Sequence, residues 1–307
     1  MKREKWIIYS LIALFLISIL IGLLRQVPIN KSVGQPKILL PKDGIAVIYI
    51  YGPIFVDLGS PIIGASGIDS IVEQLNAIEK DKHIRGVVLR INSPGGSPGA
   101  SQELYNEILK FKDRTKLPVT VSIADVGASG AYWVSLAGDT IFANAASIIG
   151  SIGVIIQNLD LSEVKEKYGI GIKTIKTAEY KDAFSPWRKT SGKENRHLKN
   201  LADNIHKQFV SAIAESRKQV GRKAASLADG KIYTGEQAIK VGLIDKIGGM
   251  EDAISYTGKM AGIKGKPRVI TRPGNPIHKF FKYWQQNMSS FFGSSSTTFL
   301  SPSMELK

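Results

Sequence analysis

The chain has 307 residues, 43% hydrophobic and 22% charged, enough for one large domain with appendages. Its 41 Lys and Arg against 26 Asp and Glu give a formal charge of +15, but the basic residues are scattered rather than gathered into a patch, which argues against a nucleic-acid partner. Cysteine is absent, which excludes disulfides, thiolate metal sites and a cysteine nucleophile, so any nucleophile is an oxygen or an amine.

Residues 1–5 carry Lys2, Arg3 and Lys5, and residues 6–24 follow without a charge. A helix over 6–24, rising about 1.5 Å per residue, spans about 28 Å, close to the hydrocarbon thickness of a bilayer. The preceding cations predict a cytoplasmic N-terminus, a single-pass anchor in the cell membrane and a main domain on the extracytoplasmic side. A cleaved signal peptide is the alternative, but the apolar run is long for one and no small-x-small cleavage pattern follows it. Residues 25–43, with Pro28, Gly34, Pro36 and Pro41, read as a linker.

The folded domain is expected over 44–265. Residues 45–51 are β-branched and aromatic, a strand; 66–80 place Ile68, Ile71, Val72, Leu75 and Ile78 at helical spacing. The alternation continues with a strand at 86–92, a helix at 100–112, a strand at 118–123 and a short helix at 129–137. Strands follow at 140–143 and 152–156, then a long helix from about 194 to 220. A short helix at 235–242 turns into a strand at 243–245, and a helix at 250–260 closes the domain. Such repeats predict an α/β fold with mostly parallel strands, whose active sites gather at the strands' carboxyl ends. Residues 266–307 read as a tail, rich first in aromatics (Phe280, Phe281, Tyr283, Trp284, Phe291, Phe292) and then in Ser and Thr, either disordered or lying on a membrane or in a partner's groove.

Ser129 stands between a strand and a helix, flanked by Gly127, Ala128, Gly130 and Ala131. Small neighbours admit a substrate backbone, and a helix N-terminus favours negative charge. On this segment alone the serine fits a helix N-cap equally well. Ser93-Pro94-Gly95-Gly96 follows another strand; its glycines suit either a backbone oxyanion site or a plain βα turn. The histidines are His83, His197, His206 and His278, and none has the setting of a triad member. Lysine is the alternative base, but it holds its proton to about pH 10.4 in water and must leave water to act. Lys181, in Glu179-Tyr180-Lys181-Asp182-Ala183-Phe184, lies among aromatic and small residues, although Asp182 fits it equally for a surface ion pair.

With these residues in order, the sequence from about 44 to 262 resembles the signal peptide peptidase A family, Ser/Lys proteases of the crotonase and Clp protease type of fold. The resemblance is carried by Ser93-Pro94-Gly95-Gly96, Ala128-Ser129-Gly130, Ile149-Gly150-Ser151-Ile152-Gly153 and Tyr180-Lys181-Asp182. It continues through Tyr233-Thr234-Gly235 to Gly242-Leu243-Ile244-Asp245. It implies a repeated β-β-α superhelix, Ser129 as nucleophile and Lys181 as general base. It also implies oxyanion-hole N–H groups from Gly96 and Gly130, with Ser151 hydrogen-bonded to the lysine; the alternative for Ser151 is a turn serine. No metal or cofactor is implied. The implied substrates are hydrophobic peptides, remnant signal peptides among them, and the implied assembly is a homo-oligomer on the bilayer in which neighbouring copies share catalytic residues. Three other readings stand beside it: an esterase using Ser129 with His278, an inactive membrane scaffold of the same fold, and an acyl-CoA enzyme of crotonase type.

Overall fold

The computed structural model describes residues 43–56 and 67–271. The segment read as a membrane anchor, nearly all of the linker and most of the aromatic tail lie outside them. Among the described residues no helix is long and apolar enough to cross a membrane.

Eight strands form one sheet. Its centre is three parallel strands, β1 (Gly44–Tyr51), β2 (Ile84–Ser93) and β3 (Val119–Ala128). All three are dense in Val and Ile because helices cover both faces, as a parallel sheet requires. The two-residue period of a strand sorts the side chains between two cores. Ala46, Ile48, Ile50, Val87, Leu89, Ile91, Val119, Val121 and Ile123 enter the larger one, and Ile45, Val47 and Val88 enter the smaller.

Helix α1 (Ile68–Glu79) buries Ile68, Ile71, Leu75 and Ile78, one stripe at helical spacing. Helix α2 (Pro98–Thr115) opens on a proline, whose missing N–H costs nothing at a first helical position, and buries Leu104, Ile108 and Phe111. These helices share the larger core with α3 (Gly130–Ser135) and α5 (Gly192–Ser216); a short α4 (Ser162–Lys167) lies between those two in sequence. Two more short helices follow, α6 (Ala224–Leu227) and α7 (Gly235–Lys240). Helix α8 (Met250–Met260) supplies Ala253 and Ile254 to the smaller core.

The feature that positions the site is that β3 changes neighbours along its length. Thr120 to Ile123 pair with β4 (Thr140–Ala143), whereas Val126 to Ala128 pair with β5 (Ile148–Gly150). The β2–β3 register slips between Ile91 and Ser93. Asn92 bridges the slip: its Oδ1 accepts the Val126 N–H at 3.1 Å and its Nδ2 donates to Asp125 at 3.1 Å. Such an irregularity bends a strand. Here it carries the chain on to Ser129 alongside β5 instead of β4.

The remaining strands are β6 (Ile232–Thr234), antiparallel to β5, β7 (Lys246–Ile247), beside β4, and β8 (Arg268–Thr271), parallel to β1. Three differ from the expectations above. The strand expected at 152–156 is at Ile148–Gly150; by Ile155, which is 82% exposed, the chain has left the sheet. The strand expected at 243–245 is found directly after it, at Lys246–Ile247, because residues 243–245 serve hydrogen bonds. Asp245 accepts the Ile141 N–H at 2.8 Å and the nearly buried Arg217 at 2.7 and 2.8 Å, while Tyr132 donates to the Leu243 carbonyl. Finally, β8 falls in the stretch read as tail. Its pairing with β1 continues the folded unit to Thr271.

Candidate active site

Ser129 follows β3 directly and caps α3 with φ 52° and ψ −124°. This backbone region favours glycine, and holding another residue there costs about 1–3 kcal/mol. Its N–H donates to the Gly150 carbonyl at 2.7 Å, extending the β3–β5 ladder by one step. Its side chain does not cap the helix, so the N-cap alternative does not describe what the hydroxyl does. Among the described residues Ser129 Oγ has no hydrogen-bond partner.

The Ser93-Pro94-Gly95-Gly96 segment packs against this elbow. Ser93 is fully buried and its Oγ accepts the Gly95 N–H at 3.1 Å. Gly95 has φ +103°, and a Cβ there would lie 2.7 Å from the Gly130 nitrogen and 2.9 Å from the Ser129 Cβ. On the other side, the Gly95 carbonyl accepts the Ile54 N–H and the Ile54 carbonyl accepts the Ser97 N–H, each at 2.9 Å. Extended backbone alternates its hydrogen-bonding directions. The Gly96 N–H therefore faces away from Ile54, and it has no acceptor among the described residues. The Gly130 N–H, at the first position of α3, likewise has none. The Gly96 nitrogen lies 3.2 Å from where a Gly130 Cβ would stand, so the Gly96 backbone lies against the residue that follows the serine.

Gly96 has no room for a side chain, since a Cβ would fall 2.0 Å from the Ile54 carbonyl oxygen. Gly96→Ala is expected to push the loop off residue 54 and destabilise the fold by about 1–3 kcal/mol. Urea unfolding beside peptide hydrolysis measures this. A variant as stable and as active as wild type would show the loop position to be indifferent. Ile54, which seats the loop, carried no signal in the sequence because it lies 42 residues away.

Ser151 follows β5 directly, as Ser129 follows β3, each one residue beyond the Ala128–Gly150 pair, and it too has positive φ, 51°. Its N–H donates to the Lys231 carbonyl at 2.7 Å. Ser129, Gly96, Gly130 and Ser151 are thus brought together. Lys181 is not: it lies in a 3-10 turn, Glu179–Asp182, exposed to solvent, with no hydrogen bond or ion pair to Ser129 or Ser151. No described histidine bonds to Ser129 either; His206 pairs with the Ala228 carbonyl and His197 packs on Tyr180. His278 lies outside the described residues.

Comparison with known proteins gives the family. Residues 111–264 match peptidase family S49 and residues 50–161 match Clp protease. A chain named as a protease in Methanocaldococcus jannaschii is 35% identical over 87% of this chain and 86% of its own length. A chain named signal peptide peptidase SppA in Enterococcus faecium is 38% identical over 60% of this chain and 54% of its own. The chloroplastic serine protease SPPA of Arabidopsis thaliana is 30% identical over 80% of this chain, and the match spans 36% of that relative. An α/β sheet with a serine at a strand-to-helix elbow defines, with these matches, a protease. The chain belongs to peptidase family S49, the signal peptide peptidase A family.

Proposed function

We propose that the protein is a membrane-anchored serine endopeptidase that degrades hydrophobic peptides, remnant signal peptides among them, through Ser129 and Lys181. The observation that carries this is the elbow: a serine held at φ 52° whose hydroxyl, like the N–H groups of Gly96 and Gly130 near it, has no hydrogen-bond partner among the described residues. Ser129 Oγ attacks the peptide carbonyl while Lys181 Nζ takes its proton. The oxyanion is met by the N–H groups of Gly96 and Gly130, an arrangement worth about 3–4 kcal/mol per donor. Collapse expels the amine, which takes the proton from Lys181, and water then hydrolyses the acyl-enzyme. Ser151 is the hydrogen-bond partner that orients the incoming lysine.

Because Lys181 is exposed in a single chain, the reading requires a homo-oligomer in which one copy's Lys181 reaches its neighbour's Ser129. In support, the segment that carries it exposes Ile155 (82%), Tyr168 (70%) and Ile175 (87%), apolar surface that a second copy would cover. Apolar substrate preference is supported by Phe55 and Val56, exposed immediately after Ile54 and thus beside the Gly96 loop. The crotonase-type winding of the sheet, the anchor at 6–24 and the extracytoplasmic placement belong to the same proposal.

A fluorophosphonate probe tests the nucleophile. It should label wild type at Ser129, located by mass spectrometry, and should leave Ser129→Ala unlabelled. Labelling of another serine, or equal labelling of Ser129→Ala, would overturn the assignment.

A further inference from the structure

Both carboxylates on the turn that carries Lys181 are engaged by other cations. Glu179 pairs with Lys193 at 2.7 Å. Asp182 accepts Arg188 Nη2 at 2.7 Å, Arg188 Nε at 3.0 Å and Lys176 Nζ at 2.6 Å. Arg188 also donates to the Asp182 backbone carbonyl at 3.0 Å, so it grips main chain and side chain together. Its guanidinium further binds Glu194 at 2.6 and 3.0 Å, and Glu194 accepts the Ser191 N–H in the capping box that starts α5. The other groups at the turn are Tyr180 and His197, whose rings are 5.1 Å apart, and Lys193 above the Tyr180 ring. Among the described residues Lys181 has no carboxylate partner.

A lysine that must give up its proton is hindered by any carboxylate able to pair with it, since an opposite charge favours the charged form. Asp182, its neighbour in sequence, is the nearest candidate for that pairing. The forked guanidinium of Arg188 occupies both oxygens of Asp182, which a point charge cannot do in the same geometry.

We propose that Arg188 is a positioning residue for Lys181: it clamps Asp182 to Glu194, which fixes the turn and withholds from the lysine the carboxylate beside it. The inference rests on the Ser129–Lys181 reading above. The clamp survives at the pH where a protease works. Arg188, then the Ser191 N–H, holds Glu194 down to about 2, and Arg188 with Lys176 holds Asp182 well below the usual carboxylate range. Both carboxylates titrate near about pH 4 in an unfolded chain. Their contribution is therefore complete above that pH and is lost only as pH falls toward the folded values.

The test is the pH dependence of kcat/KM for an apolar peptide, with the full chain in detergent and folding checked by circular dichroism. In Arg188→Gln, Lys176 still holds Oδ1 of Asp182, but Oδ2 is released and pairs with Lys181, and the activity rise moves about one pH unit upward, a roughly tenfold loss at neutral pH. Adding Asp182→Asn to Arg188→Gln should return the rise to its wild-type position, a rescue that a purely structural role of Arg188 would not give. Arg188→Lys, which meets one carboxylate at a time, should move it less in the same direction and replaces the glutamine variant if that fails to fold. A loss of activity with the rise unmoved, or a displacement that Asp182→Asn does not reverse, overturns the inference. Lys181→Ala separates the two claims. If it is inactive while Arg188→Gln leaves the rise in place, only the role of Arg188 falls; if it keeps wild-type activity, the Ser–Lys reading itself falls.

Discussion

Ser129→Ala is expected to lower peptide hydrolysis by about 10⁴-fold or more, the scale seen when a covalent nucleophile is removed, while Ser129→Gly is expected to be equally inactive and more stable than either. The second half of that result follows from the backbone. At φ 52° and ψ −124° any side chain carries the steric cost of its Cβ, and alanine keeps that cost while glycine removes it. The gain of glycine over alanine should be about 1 kcal/mol or more, a few degrees in melting temperature. Comparing glycine with alanine, instead of with serine, cancels the loss of the hydroxyl. Thermal unfolding of the three proteins makes the comparison. A glycine variant no more stable than the alanine variant would mean the elbow is not strained. A serine retained where glycine is more stable implies that the hydroxyl, rather than the fold, is what the position serves.

Much of the scaffold was legible because its signals are local. The helical stripe at Ile68, Ile71, Leu75 and Ile78 and the apolar runs of β1 and β2 need only nearest neighbours to be read. The misplaced elements fail for a different reason. β5 is three residues long and β7 is two, and each exists because a distant strand offers a ladder, Val126 to Ala128 for β5 and Phe142 to Ala143 for β7. β8 likewise depends on β1, more than 200 residues earlier in the chain. In the site, Ser129 and the paired glycines announced themselves by composition. That Gly95 must pack on the Ser129 Cβ, and that Ile54 seats the loop, could not be read before the fold was known. Asp182 is the sharpest case. In sequence it suggested an ion pair with Lys181, whereas in the fold its oxygens are taken by Arg188 and Lys176.

Lys181→Ala should lower activity by about 10²–10⁴-fold, the contribution of a general base, yet mixing it with Ser129→Ala should restore activity that neither variant shows alone. The reason is placement: the lysine is exposed in its own chain and unconnected to its own Ser129. If the lysine comes from a neighbour in a closed ring, a working site needs an intact serine from one copy and an intact lysine from the next. Random co-assembly of equal amounts then gives about a quarter of the sites both groups, since each is present with probability of about one half. The two proteins should be solubilised, dissociated and reassembled together, and hydrolysis compared with that of each reassembled alone. Recovery near that fraction requires the oligomer as the catalytic unit. Two silent variants that stay silent after verified co-assembly would place both residues in one copy, and the exposed turn would then have to fold onto its own elbow when substrate binds.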